Sequence, residues 1–251
     1  NDVTAELQDD GYKVLAPPNP LRGVSADAAF MRSFLSTVDG PIVLNPNHYS
    51  VFCGQSVGVT IRNLKSLSAS SWSDGLDFMS CSDVRVDGVF MRNSDDTIAI
   101  YGGRWEYKGD ARNYRIANST LWADVAHPIN IGLHGTPHAA ETLEDIEFRN
   151  IDILGHDEDD RDYQGAMAIT DGDNNLVRDV RFEDIRIDDI QEGMLFNFRA
   201  VFNAKYSNAP GRGIENIIIR NVHFKGGDIN RPVIAGHSAD RRVRGIRIDN
   251  V

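Results

Sequence analysis

A short alternation of apolar and polar positions, closed by a polar or small residue, recurs along most of this chain. It reads VTIRN at 59–63, VRVDG at 84–88, YRIAN at 114–118, IEFRN at 146–150, VRFED at 180–184, IIIRN at 217–221 and IRIDN at 246–250. Successive side chains of a strand point to opposite faces, so each run predicts a half-buried strand. The closing residues are 25, 30, 32, 34, 37 and 29 positions apart. Six of the runs are followed by a second strand-like run: GLDFM, TIAIY, INIGL, AMAIT, MLFNF and PVIAG.

These periods are too variable for a hexapeptide or calcium-binding nonapeptide repeat and too short for propeller blades, and no amphipathic helical pattern lies between the strands. An all-β, right-handed, single-stranded parallel β-helix accounts for them best. Each coil supplies two or three short strands, inward Val, Ile, Leu and Phe stack on those of the next coil, and loops of unequal length explain the uneven spacing. A β-sandwich or propeller is the alternative.

Residues 1–40 break the pattern. Ser25-Ala26-Asp27 predicts a helix cap, with Phe30, Met31, Phe34 and Leu35 at helical spacing behind it. Such a helix would cover the open end of the coil stack. The expected organisation is therefore an N-terminal cap segment, 1–40, and a β-helix domain, 41–251, with 41–56 forming a further coil. Because a strand pattern runs up to Val251, the sequence reads as a piece of a longer protein.

Composition narrows the partners. The formal net charge of −11 argues against a general nucleic-acid binder, whose affinity would rest on a basic surface. No apolar stretch approaches the length of a membrane span, and no secretory leader opens the sequence. Two cysteines, Cys53 and Cys81, are too few for a disulfide framework or a metal site; a single bridge between them stays open.

The candidate chemistry lies in the turns leading into two of the second strands. Asp74 lies in Ser73-Asp74-Gly75-Leu76-Asp77, and Asp95-Asp96 lies in Asn93-Ser94-Asp95-Asp96-Thr97. The separation of Asp74 and Asp95 is close to one coil, so both fall on one side of the helix, about 5 Å apart in height. Carboxylates held this closely cannot all ionise freely; one pKa rises and provides a proton donor. Glycoside hydrolysis needs such a set, one acid for the leaving oxygen and one carboxylate for water or carbon. A calcium site and plain turn chemistry are the alternatives. Asp77 reads as a supporting carboxylate, and the acidic run 157–160 as a solvated loop. No cofactor and no metal are expected.

The stretch GLDFMSCSDVRVDGVFMRNSDDTIAI at 75–100 resembles the core signature of glycoside hydrolase family 28, the polygalacturonases and their relatives. There an Asn-Thr-Asp-Gly-Ile-Asp segment precedes Asp-Asp-Cys-Ile-Ala-Ile by about one coil. HYSVFCGQSVGVTIRN at 48–63 resembles the preceding coil, and Ala126-His127-Pro128-Ile129-Asn130-Ile131-Gly132 resembles the family's Gly-His-Gly motif. The resemblance implies a secreted or periplasmic inverting glycosidase with a carbohydrate substrate. In it Asp95 matches the general acid, Asp74 and Asp96 the pair that deprotonates water, and His127 a histidine bonded near the acid and the sugar.

There are departures from that pattern. Trp72 takes an asparagine position, Thr97 a cysteine position, and Ala126 and Pro128 the positions of flanking glycines. Where the family carries the Arg-Ile-Lys that grips galacturonate, this chain reads Gly165-Ala166-Met167-Ala168-Ile169-Thr170. A neutral glycan is therefore expected in preference to galacturonan, as for the related dextranase-type enzymes of family 49. Trp72, Tyr101, Arg104, Trp105, His134 and Asp171 are the expected cleft-lining residues, since aromatic rings commonly stack on sugar faces. A polysaccharide lyase or epimerase on the same fold, or a non-catalytic glycan-binding β-helix, are the competing functions.

Overall fold

The structure, a computed structural model, describes residues 42–44 and 48–251. The cap helix expected near 25–35 lies outside the described residues. All described strand pairing within the two sheets is parallel. One sheet holds β1 (Ile42–Leu44), β3 (Thr60–Arg62), β4 (Lys65–Leu67), β6 (Ser82–Asp87), β7 (Phe90–Asn93), β9 (Ala111–Ala123), β11 (Thr142–Gly155), β13 (Leu176–Ile187), β15 (Gly213–Phe224) and β17 (Val243–Asp249). The other holds β2 (Val51–Gly54), β5 (Leu76–Met79), β8 (Ile98–Tyr101), β10 (Ile129–Gly132), β12 (Met167–Asp171), β14 (Phe196–Ala200) and β16 (Val233–Ala235). The chain alternates between the sheets coil after coil, which is the parallel β-helix predicted from the repeats.

Two bends per coil shape the longer strands, and both come from residue chemistry. The closing residue of every predicted repeat has a left-handed backbone: Asn63, Gly88, Asn118, Asn150, Asp184, Asn221 and Asn250. Asn, Asp and Gly tolerate that region best. A second left-handed column runs five residues earlier, through Asp83, Asn113, Asp145, Asp179, Asn216 and Gly245. Side chains bond along the first column, Asn150 to Asn118 at 2.7 Å and Asn221 to Asp184 at 3.0 Å.

Inside, the expected apolar residues stack on one another. Ile116, Phe148, Phe182 and Ile219 occupy successive register positions and are buried. From the opposite sheet Leu76, Ile98, Ile129, Met167 and Phe196 do the same. Cys53 and Cys81 are free thiols, the Cys81 Sγ lying 3.1 Å from the Cys53 carbonyl. The second sheet is unusual in being covered on both faces: β5, β8 and β10 are buried throughout. Its outer face carries Met79, Ala99, Tyr101, Leu133 and Tyr163 as a small separate cluster, and this face forms the floor of the site.

Candidate active site

Register places the aspartates. Leu76 pairs with Ile98, and Ile98 with Ile129. Asp74, Asp96 and His127 each stand two residues before these positions and therefore form one column across three coils. Backbone bonds continue through it, from Gly75 N–H to the Asp96 carbonyl at 2.8 Å and from Thr97 N–H to the His127 carbonyl at 2.8 Å. Gly75 permits this closeness, since a Cβ there would run into the Thr97 carbonyl. Behind the turn, the Asn93 side-chain amide bonds the Asp74 carbonyl at 3.1 Å and the Ser50 and Ser66 hydroxyls.

The four carboxyls are in very different states. Asp96 is buried, yet Oδ1 accepts from His127 Nδ1 at 2.7 Å and His127 N–H at 3.1 Å, and Oδ2 from Asn130 at 2.8 Å. Burial would raise its pKa, but the charge and bonds of His127 outweigh burial and hold it below the usual value. Asp95 is pushed up to about 7 by burial and then by the Asp96 charge beside it. Asp74 is pushed up to about 10 by burial and by Asp77, Asp96 and Asp95. Asp77, fully buried, is raised by burial and by the Asp96 and Asp95 charges, and neither of its carboxyl oxygens has a hydrogen-bond partner among the described residues. Two charges buried this close repel, so the pair disfavours simultaneous ionisation.

His127 departs from expectation. It is fully buried, and its Nε2 is bonded to the Tyr163 carbonyl. A carbonyl only accepts, so both ring nitrogens donate, and the imidazole pKa is raised because Asp96 overcomes burial. The ring thus sits behind Asp96, away from the groove, and fixes that carboxylate. The motif aligns its backbone, but the 156–165 loop covers the side chain. His156 anchors this loop, bonding the Ala126 carbonyl at 2.7 Å and Gly165 N–H at 3.0 Å.

A groove of about 940 Å³ runs over this column. Asp74, Asp95 and Asp96 lie in it together with the expected Trp72, Tyr101, Arg104, Trp105 and His134. Trp72 (φ 63°) and Trp105 (φ 56°) are both exposed on left-handed backbone. Bulky residues seldom adopt that conformation, and it clusters at functional sites. His134 packs edge-on to Tyr101 with centroids 5.0 Å apart, and burial followed by Arg104 lowers its pKa to about 3.

Asp171 does not reach the groove. It is fully buried at the end of β12, beneath Gly211, and its Oδ2 accepts Gly213 N–H at 2.8 Å. Its place in a second-strand run suggested exposure on the floor, but the 201–213 loop closes over it. The acidic run is also more than a solvated loop, since Glu158 is buried and Glu158, Asp159 and Asp160 wall the groove. Sequence reading missed Tyr49, Tyr163, Lys205 and Tyr206, which also line it. Tyr163 lies just before Gly165, which continues the Asp96–His127 column, so a signal existed; Lys205 and Tyr206 come from a loop without periodicity. Among the described residues no three His, Cys, Asp or Glu side chains are gathered to hold a metal ion.

A family model described as glycosyl hydrolases family 28 matches residues 30–251. The chain belongs to that family. Endopolygalacturonase B of Aspergillus niger is 24% identical over 169 residues, which are 66% of this chain and 41% of the relative. Probable endopolygalacturonase B of Aspergillus kawachii is 23% identical over 169 residues, with the same coverage. The chain thus spans about two-fifths of the length of the curated relatives it matches. A family 28 exopolygalacturonase of Yersinia enterocolitica shares the fold with a TM-score of 0.55 at 13% identity, over 84% of this chain and 44% of that one.

Proposed function

We propose that this family 28 chain is a galacturonan hydrolase that works by an inverting mechanism. The observation that carries the reading is the division of states between adjacent carboxyls. Asp96 is kept ionised by His127, whereas Asp95 is held near 7. Asp95 then protonates the leaving oxygen as general acid, and Asp96 takes a proton from water as general base. Asp74, whose pKa is pushed up to about 10, orients that water as a protonated group rather than acting as a second base. His127 positions Asp96 instead of touching the sugar.

An expected preference for a neutral glycan is not supported. It rested on the missing Arg-Ile-Lys segment, but Arg104 and Lys205 reach the groove from elsewhere. The relatives that match are named endopolygalacturonases. Two cations beside an aromatic-lined groove suit a polyanionic sugar chain. A polymer of this kind is met outside the cell, which fits a secreted or periplasmic enzyme.

Incubation with polygalacturonate should release reducing ends, and Asp95→Asn and Asp96→Asn should each lower kcat at least a hundredfold while the chain still binds substrate. Proton NMR of the first-formed product should show the inverted anomer. Retention of configuration would sink the mechanism, and an ultraviolet-absorbing unsaturated product would make the protein a lyase.

A further inference from the structure

We infer that Arg104 is the side chain that reads a sugar carboxylate in this groove, and that Glu141 is the positioning residue that holds it there. The inference rests on the galacturonan reading and deepens it by naming the recognising group.

Arg104 sits at one end of a tight hairpin closed by reciprocal backbone bonds with Tyr107, at 3.0 and 3.1 Å. Its guanidinium lies over the rings of Trp105, Tyr101 and Tyr49, with centroid distances of 4.8, 5.2 and 5.7 Å. The side chain is only 22% exposed, and its one ion pair among the described residues is with Asp77, at 3.5 Å. That is long for a charge-assisted hydrogen bond. A guanidinium has five donors in a planar fork, and this one makes no shorter bond to any described side chain. Burial raises the Asp77 pKa, so this partner does not present a full charge. A largely desolvated cation with unused donors beside a sugar groove is arranged to receive a carboxylate in bidentate fashion.

The hairpin is held at both feet by one group. The Glu141 carboxylate, 3% exposed, accepts from Gly103 N–H at 2.6 Å, Gly109 N–H at 2.9 Å, Thr136 N–H at 2.8 Å and the Thr136 hydroxyl at 2.8 Å. Gly103 and Gly109 bracket the segment that carries Arg104 and Trp105. A Cβ at Gly102 would come within 2.7 Å of a Glu141 oxygen, so the fit needs glycine as well as the acid. Glu141→Gln keeps the shape, but its amide nitrogen would face two donors and lose their bonds.

The test is calorimetric binding of trigalacturonate and of its fully methyl-esterified form, in an Asp95→Asn background to prevent turnover. Arg104→Gln should weaken binding of the acid about 10–100-fold, the worth of a lost charge-assisted contact, and of the ester less than threefold. Arg104→Lys should recover part of the acid affinity. Glu141→Gln should show the same acid-selective loss with a smaller amplitude, a pattern that general loosening of the fold would not produce. Equal losses on acid and ester would overturn the inference. If the parent binds the acid through Arg104 but the wild-type chain does not cleave it, the hydrolase reading falls and this one stands. If the parent binds neither form, both fall.

Discussion

Asp96 and Asp95 are neighbours in sequence, yet their environments drive them apart. Asp96 points to His127 and Asn130, whereas Asp95 has one neutral donor, the Asp96 N–H at 2.9 Å, and a negative neighbour. The pH–rate profile should follow from this. Activity should decline as pH rises through about 7, where Asp95 loses its proton, and should persist below the ordinary aspartate range on the acid side, because Asp96 stays ionised there. In His127→Gln the cation is gone and burial dominates, so the acid limb should move to higher pH. An unmoved acid limb would show that His127 does not set the state of Asp96. Asp77 makes a second prediction. Its pKa is raised on folding, so its ionisation opposes the fold: the associated stability is present below the unfolded value, near 4, and is lost as pH rises toward the folded value. Asp77→Asn removes that loss. Thermal melts should show the variant gaining a few degrees over the parent at pH 8 and little at pH 4.

The long strands owe their shape to the two left-handed columns, and charge supports a register set by the inward apolar residues. Arg112, Glu144, Arg178, Glu215 and Arg244 are consecutive register partners with strictly alternating sign, and Arg244–Glu215 closes to 2.6 Å. Opposite charges on neighbouring strands favour the native alignment, and a slipped strand would bring its apolar set to the outer face. Asn150, at φ 55° and bonded to Asn118, tests the columns. Asn150→Ala should lose about 2 kcal/mol, from left-handed strain and the missing bond, and lower Tm by roughly 4–8 °C. Asn150→Gly should lose less than half as much. One of the columns was legible as the closing residue of each repeat. The other, at Asp83, Asn113, Asp145, Asp179 and Asn216, carries the same chemistry but interrupts the apolar alternation, so it leaves no strand signal of its own.

A stack of coils has no single centre, and its cohesion depends on inward residues that link one coil to the next and one sheet to the other. Phe182 does both: its ring stacks on Phe148 of the same sheet at 5.7 Å and on Phe198 of the opposite sheet at 5.8 Å. Phe182→Ala should therefore cost about 3–5 kcal/mol and lower Tm by roughly 10 °C, readable by calorimetry. The same stacking explains what could be known in advance. Strand alternation, the polar closing residues and the near-one-coil spacing of Asp74 and the Asp95–Asp96 pair are local or periodic, and a parallel β-helix converts such spacing into adjacency, with Asp96 rather than Asp95 in register with Asp74. The chain by itself therefore determined the fold and the aspartate column. The state of each carboxyl and the sugar-reading charges were decided by the loops between coils. Those loops put His127 behind Asp96, close over Asp171, bring Lys205 into the groove and fix how Arg104, expected there from the sequence, is held. Their paths follow from packing and from single clamps such as Glu141, contacts between residues far apart in sequence that leave no period to read.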